Sequence, residues 1–113
     1  MMIVYKELLP QAYLLVLAYD PTTSDLALAR QLACALRSGK PAVWVDCRLL
    51  TTFSATAIRL LHACHRSLQQ RQAQLVLCRV PEHLARLPAL AGLRLAPTYQ
   101  EAAGQQYYSL LMA

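Results

Sequence analysis

The sequence is short of the residues from which many active sites are built. Among its 113 residues are three glycines, one tryptophan and one phenylalanine, and only 15% of the chain is charged. No glycine-rich loop is available to cradle a phosphate. Cys34, Cys47, Cys64 and Cys78 are spread through the chain with no Cys-x-x-Cys pair among them, which excludes a thioredoxin-type centre and a zinc ribbon. The longest apolar run, Ala12 to Tyr19, falls far short of the ~20 residues that cross a bilayer. A secretory leader fits poorly as well. Glu7 and Pro10 interrupt the opening segment, and Asp20-Pro21 follow where small cleavage-site residues belong. No repeat, low-complexity tract or linker stands out.

What is present is mostly apolar. A hydrophobic content of 57% and a mean hydropathy of +0.30 exclude intrinsic disorder. The length suits a single domain spanning 1–113, since domains commonly run to roughly 100–150 residues. So little polar cover remains that an apolar patch is expected to meet a partner. The net charge is +5, and nine of the eleven cations are arginines. They are scattered, without the interleaved aromatics of a single-strand binder and without zinc-finger or RNA-binding motifs. The excess therefore points to an acidic protein surface rather than to nucleic acid. Each cysteine lies within or at the end of an apolar segment, where a free thiol behaves as a small hydrophobe. Four free thiols suit a reducing, cytoplasmic setting.

Ile3 to Leu8 and Ala12 to Ala18 read as two strands around Pro10-Gln11, a hairpin. After Asp20-Pro21, Thr23 or Ser24 is placed to cap a helix whose dipole Asp25 complements. Leu28, Leu32 and Leu36 form its stripe, and Gly39 and Pro41 end it. Ala42 to Val45 is a continuous apolar run ending at Asp46, a strand buried on both faces. A loop through Thr51, Thr52 and Phe53 leads to Ser54, which can cap a second helix with the inner seam Ala57, Leu60, Leu61, Cys64 and Leu68. Leu75 to Cys78 is another buried strand. Pro81 starts a short helix, Leu93 to Tyr99 holds a weak edge strand with Pro97 in it, and Gln100 to Met112 forms a terminal helix. The order ββαβαβαβα predicts an α/β fold: a mixed four- to five-stranded sheet with helices packed largely on one face.

Several segments resemble the STAS domain of bacterial anti-sigma-factor antagonists. Members carry an apolar strand ending Asp-Leu, a loop, and Asp-Ser-Ser-Gly-Leu opening an amphipathic helix. Val43-Trp44-Val45-Asp46-Cys47 matches the strand, and Ser54-Ala55-Thr56-Ala57-Ile58 falls where Asp-Ser-Ser-Gly-Leu belongs. Gln74 to Leu77, Pro81 to Leu87, Gly92-Leu93 and Tyr99 to Ala102 are similar to family text too. The resemblance implies a non-enzymatic interaction module without cofactor. Its partner would be an anti-sigma factor or serine kinase of the histidine-kinase-like ATPase class, bound through the start of the second helix and released by phosphorylation. The residue matching the phosphoacceptor serine is Ala55, which has no hydroxyl. Ser54 stands for the preceding Asp and Ala57 for the closing Gly. Phe53, Ser54, Ala55, Thr56, Ile58, Arg59 and His62 form the expected binding face.

Each of these residues also has a plainer reading. Ser54 serves as a helix cap, and as a displaced phosphoacceptor only secondarily. Thr56 lies in the first turn, where a phosphate would meet the positive end of the helix. Thr51 and Thr52 suit turn hydrogen bonding. Ile58 falls outward by periodicity and, beside Phe53, offers a partner an anchor. His62 and His65 can share a helix face while Cys64 points about 200° from His62, so no zinc site is expected. Asp46 stands at the end of a strand with no second acid or base and reads as ordering the loop. Two alternatives complete the set: a non-switching scaffold subunit that assembles with itself, as a homodimer, or with other STAS proteins, and a small thiol enzyme acting through Cys47 or Cys64.

Overall fold

Chain reversal at Pro10-Gln11 brings two strands together, with the Leu9 amide donating to the Ala12 carbonyl at 2.8 Å. The computed structural model describes residues 1–104. In it β1 (Met2–Leu8) pairs antiparallel with β2 (Tyr13–Ala18), with one irregularity between Ile3 and Tyr5. Then come α1 (Leu26–Arg37), β3 (Ala42–Leu49), α2 (Ala55–Gln69) and β4 (Gln74–Cys78). A short α3 (Glu82–Ala85), a 3-10 turn (Pro88–Leu90), β5 (Arg94–Ala96) and a helical segment α4 (99–104) complete the described residues. The sheet order is β1-β2-β3-β4-β5, and every pair from β2 to β5 is parallel. This is the expected mixed sheet with five strands. The part of the expected terminal helix beyond residue 104 lies outside the described residues.

Alternation along the strands divides the interior in two. Tyr13, Leu15 and Leu17 of β2, Val43, Val45 and Cys47 of β3, and Leu75 and Leu77 of β4 meet the buried stripes of α1 and α2. Those stripes are Leu28, Leu32 and Ala35 on α1, and Ala57, Leu61, Cys64 and Leu68 on α2. The intervening residues, Leu14, Trp44, Val76 and Cys78, form a smaller cluster on the other face with Ala96, Tyr99 and Ala102. β3 and β4 are thus covered on both sides, as their uninterrupted apolar runs require. Gly39, at φ +72°, takes the left-handed conformation that lets the chain leave α1.

Four details differ from expectation. The cap position of α1 is Asp25 rather than Thr23 or Ser24, and its side chain makes no capping bond; the Asp25 carboxylate is drawn instead to Ser54. β3 runs on to Leu49, three residues past Asp46, because parallel pairing with β2 continues to Ala18 opposite Leu49. Leu60 is only partly buried, at the junction between α1 and α2 rather than beneath α2. Pro97 falls just after β5, so no ladder bond is lost to it.

Candidate partner-binding site

The start of α2 is built by its cap. Ser54 keeps an extended backbone (φ −72°, ψ 155°) while its Oγ accepts the Ala57 amide at 3.0 Å, as its residue type predicts. The same hydroxyl donates to Asp25 Oδ2 at 2.6 Å. A carboxylate from the mouth of α1 therefore supplies negative charge at the positive end of α2. With both of its hydrogen-bonding roles taken, Ser54 is a fixed structural group.

The loop before the cap is held from below and from the side. Leu50 and Phe53 point into the main core, 2% and 8% exposed. The His83 Nε2–H donates to the Thr51 carbonyl at 3.1 Å, and the His62 Nε2–H to the Ala89 carbonyl at 2.7 Å. Thr51, Thr52, Ala55, Thr56 and Arg59 stand exposed along the rim. Arg59 Nη2 donates to Thr56 Oγ1 at 3.3 Å.

Two residues of the expected binding face are less exposed than their positions in the sequence suggest. Phe53 is a core residue, and Ile58 is partly buried and packed against the same core, so neither protrudes as an anchor. Loop residues carry no periodicity that would reveal Phe53 as inward. A bare helical count turns Ile58 outward, but it packs partly against the main core, on the same flank of α2 as His62, which bonds Ala89 of the 3-10 turn. The exposed apolar side chains near the site are others: Leu26 at 54%, directly after Asp25, and Leu49 at 45%. Helical spacing from Leu28 places Leu26 on the outward crest of α1, so the signal for it lay in the sequence.

Asp46 is more than a loop residue. It does accept the Arg48 amide at 2.9 Å, the loop-ordering bond expected of it. It is also fully buried and receives hydrogen bonds from Arg79 Nε at 2.9 Å, from Arg79 Nη2 and from the Tyr99 hydroxyl. The Tyr99 ring stacks on Trp44 with centroids 6.1 Å apart, and the Arg79 guanidinium lies 4.9 Å from its centre. Burial alone would raise the Asp46 pKa. The bonds from Tyr99, the Arg48 amide and Arg79, with the arginine's charge, outweigh it and hold the carboxyl below its ordinary range. Burial, and then the bond to Asp46, push the Tyr99 hydroxyl up to about 12. Arg79 sits at φ +53°, a conformation that costs a non-glycine residue about 1 kcal/mol or more and is held here by these contacts.

Cys47 and Cys64 are both buried, which disfavours the reactive thiolate at each. Burial pushes Cys64 up to about 11 and Cys78 to about 12, and drives Cys47 higher still, with the Asp46 charge adding to the effect in Cys47 and Cys78. None of the four cysteines is in a disulfide, and only Cys34 is partly open to solvent. A thiol-specific aromatic disulfide reagent at pH 8 should therefore titrate Cys34 rapidly and the other three only on unfolding. Rapid reaction of two or more thiols in the native protein would contradict this packing. Among the described residues no cluster of three His, Cys, Asp or Glu could hold a metal, and no helix is long and apolar enough to cross a membrane.

Comparison with known proteins agrees with this architecture. The family described as "Mlab, STAS domain" matches residues 20–95, two-thirds of the chain, and the chain belongs to that STAS-domain family. Among solved structures, an anti-sigma-factor antagonist (STAS) domain protein from Planctomyces limnophilus superposes with a TM-score of 0.76 at 17% identity, covering 91% of this chain and 97% of that one. The anti-sigma factor antagonist SpoIIAA in its unphosphorylated form gives 0.71 at 11% identity, covering 92% and 96%. A variant of RsbS from Moorella thermoacetica gives 0.75 at 14% identity, covering 93% and 95%. At these identities the likeness is one of fold. No curated protein matches the chain. The family consists in general of regulatory modules that act through protein partners rather than by catalysis.

Proposed function

We propose that this chain is a non-enzymatic interaction module that binds an anti-sigma factor or serine kinase through the start of α2 and lacks the phosphorylation switch at that point. The observation that carries the reading is the exposed Ala55 at the first helical position, where the family's phosphoacceptor serine belongs, on a turn rigidly capped by Ser54. A phosphate on Ser54 would break the bond to Ala57 and set about two negative charges against the Asp25 carboxylate. The unmodified face, with Leu26, Leu49 and Thr56 around it, is then the resting and binding-competent state.

A photo-crosslinking amino acid at position 52 or 56, introduced in native cells, should capture a single ATPase-type partner, while the same probe at position 72 should not. With that partner and ATP, mass spectrometry should find wild type unmodified and Ala55→Ser phosphorylated at position 55. Stoichiometric phosphate on Thr56 or Ser54 of wild type would mean that the switch has moved, and the constitutive reading would fail. Crosslinks only to further copies of this chain would favour the scaffold reading instead.

A further inference from the structure

Asp46 is the single carboxylate between Leu26 and Pro81, and it is buried in its pair with Arg79 on the face of the sheet away from α1 and α2. The helical layer built from that stretch therefore presents cations without acids. Arg30 and Arg37 stand on the outward crest of α1, opposite Leu28, Leu32 and Ala35; Arg59 and Arg66 stand on that of α2, opposite Ala57, Leu61 and Cys64. All four are exposed, and none forms an ion pair among the described residues. Among the described residues, the Arg37 side chain bonds Cys34 Sγ, at 3.4 Å, and the Arg59 side chain the Thr56 hydroxyl, and neither meets a carboxylate. Between the crests runs an apolar groove of about 160 Å³, lined by Ala29, Ala33, Leu36, Leu60, Ala63 and Ser67. Beyond α2, Arg71 donates to the Leu36 and Lys40 carbonyls, at 2.6 and 3.1 Å, and ties the two helices together at that end.

We propose that this groove is a second docking surface, occupied by an amphipathic helix of a protein partner whose apolar stripe is flanked by carboxylates. The alanines leave room for a third helix to approach at close packing distance. Two rows of unpaired arginines would meet Glu or Asp on either side of its buried stripe, the arrangement by which a helix is seated and its register fixed. A second copy of the same face is disfavoured by like charge. A membrane surface is a poorer match, since the site is concave and neither α1 nor α2 carries the Trp, Tyr or Phe that anchors at headgroup level. The groove lies further along α2 than the capped turn and shares only Arg59 with its rim, so it does not depend on the reading given to that turn.

The test uses the full chain and a synthetic helical peptide of ~18 residues with a Leu/Ala stripe flanked by Glu, followed by amide resonances in NMR. The peptide should shift Ala29, Ala33, Leu60 and Ala63 and bind more weakly as salt is raised. The double variant Arg37→Glu, Arg66→Glu should weaken binding by roughly tenfold or more. Ala63→Leu should weaken it by filling the groove at unchanged charge. Both variants alter exposed positions, and their unperturbed spectra would certify the fold. Any of three results would overturn the proposal: no shift up to about 1 mM peptide at low salt, equal binding of a peptide with Lys in place of Glu, or binding indifferent to Ala63→Leu. Binding to vesicles of mixed phosphatidylcholine and phosphatidylglycerol, with the same arginine dependence and no peptide effect, would assign the face to a membrane instead. Crosslinking from positions 52 and 56 is untouched by any of these outcomes, so the two surfaces stand or fall separately.

Discussion

Replacing Asp46 by alanine is expected to cost about 3 kcal/mol of folding stability, read as a lowered urea midpoint. The loss comes from what remains. Arg79 keeps a guanidinium whose main partner is gone, Tyr99 keeps a half-buried hydroxyl with no acceptor in Asp46, and the Arg48 amide loses its cap. Arg79 is about one-third exposed, so water recovers part of its solvation and the effect stays near the lower end for a broken buried pair. The network also writes a pH signature. A carboxyl held below its unfolded value stabilises the fold fully above about pH 4 and loses that contribution as pH falls through its folded pKa. Asp20, lowered by its bonds from Thr22, titrates in the same direction. The diagnostic quantity is therefore the difference between wild type and Asp46→Asn, which should be large at neutral pH and shrink in acid. A difference flat from pH 7 to pH 2 would show that Asp46 contributes packing alone.

Phe53→Ala should be comparably severe, about 3–4 kcal/mol, because it empties a core site beneath the loop that presents the binding turn. Its consequence is more local than that of Asp46. Leu50 and Phe53 are the two points at which the segment between β3 and α2 is fastened to the core. Without the ring, amide exchange at positions 55 to 57 should accelerate more than at the centre of α2, and affinity for the partner should fall with it. A stability change below about 1 kcal/mol would mean that the ring lies on the surface after all. That would restore Phe53 as a contact residue.

How legible these features were depended on the kind of information each required. α1, α2 and the buried faces of β3 and β4 could be read because their apolar residues repeat at 3.6 or run unbroken, and each pattern has one stable burial solution. Ser54 was readable from side-chain chemistry, since few residues cap as well. The clamp between Asp46 and Arg79 was not. The two are 33 positions apart and meet only because β3 and β4 pair in parallel, with Asp46 opposite Cys78, the residue before Arg79. No periodicity within either strand encodes that pairing. Ile58 shows the opposite failure: a count along a lone helix turns it outward, and tertiary packing sets it partly against the core. Ala55 could be located only through the family resemblance, because an alanine carries no chemistry of its own to announce it.

A strand that is apolar on both sides poses a problem of alignment. In β3 the helix side takes Val43, Val45 and Cys47 and the far side Ala42 and Trp44, so hydrophobicity scarcely distinguishes the native alignment from one displaced by a single residue. Asp46 breaks that near-degeneracy. A slip by one position would turn its carboxylate into the packed layer beneath α1 and α2, where no described cation waits for it, and would strand Arg79 on the other side. The clamp thus acts as a key that only one threading of the sheet accepts. Its removal should be felt in refolding as well as in equilibrium stability, through a larger fraction of chains that collapse with β3 misaligned and must come apart before they fold.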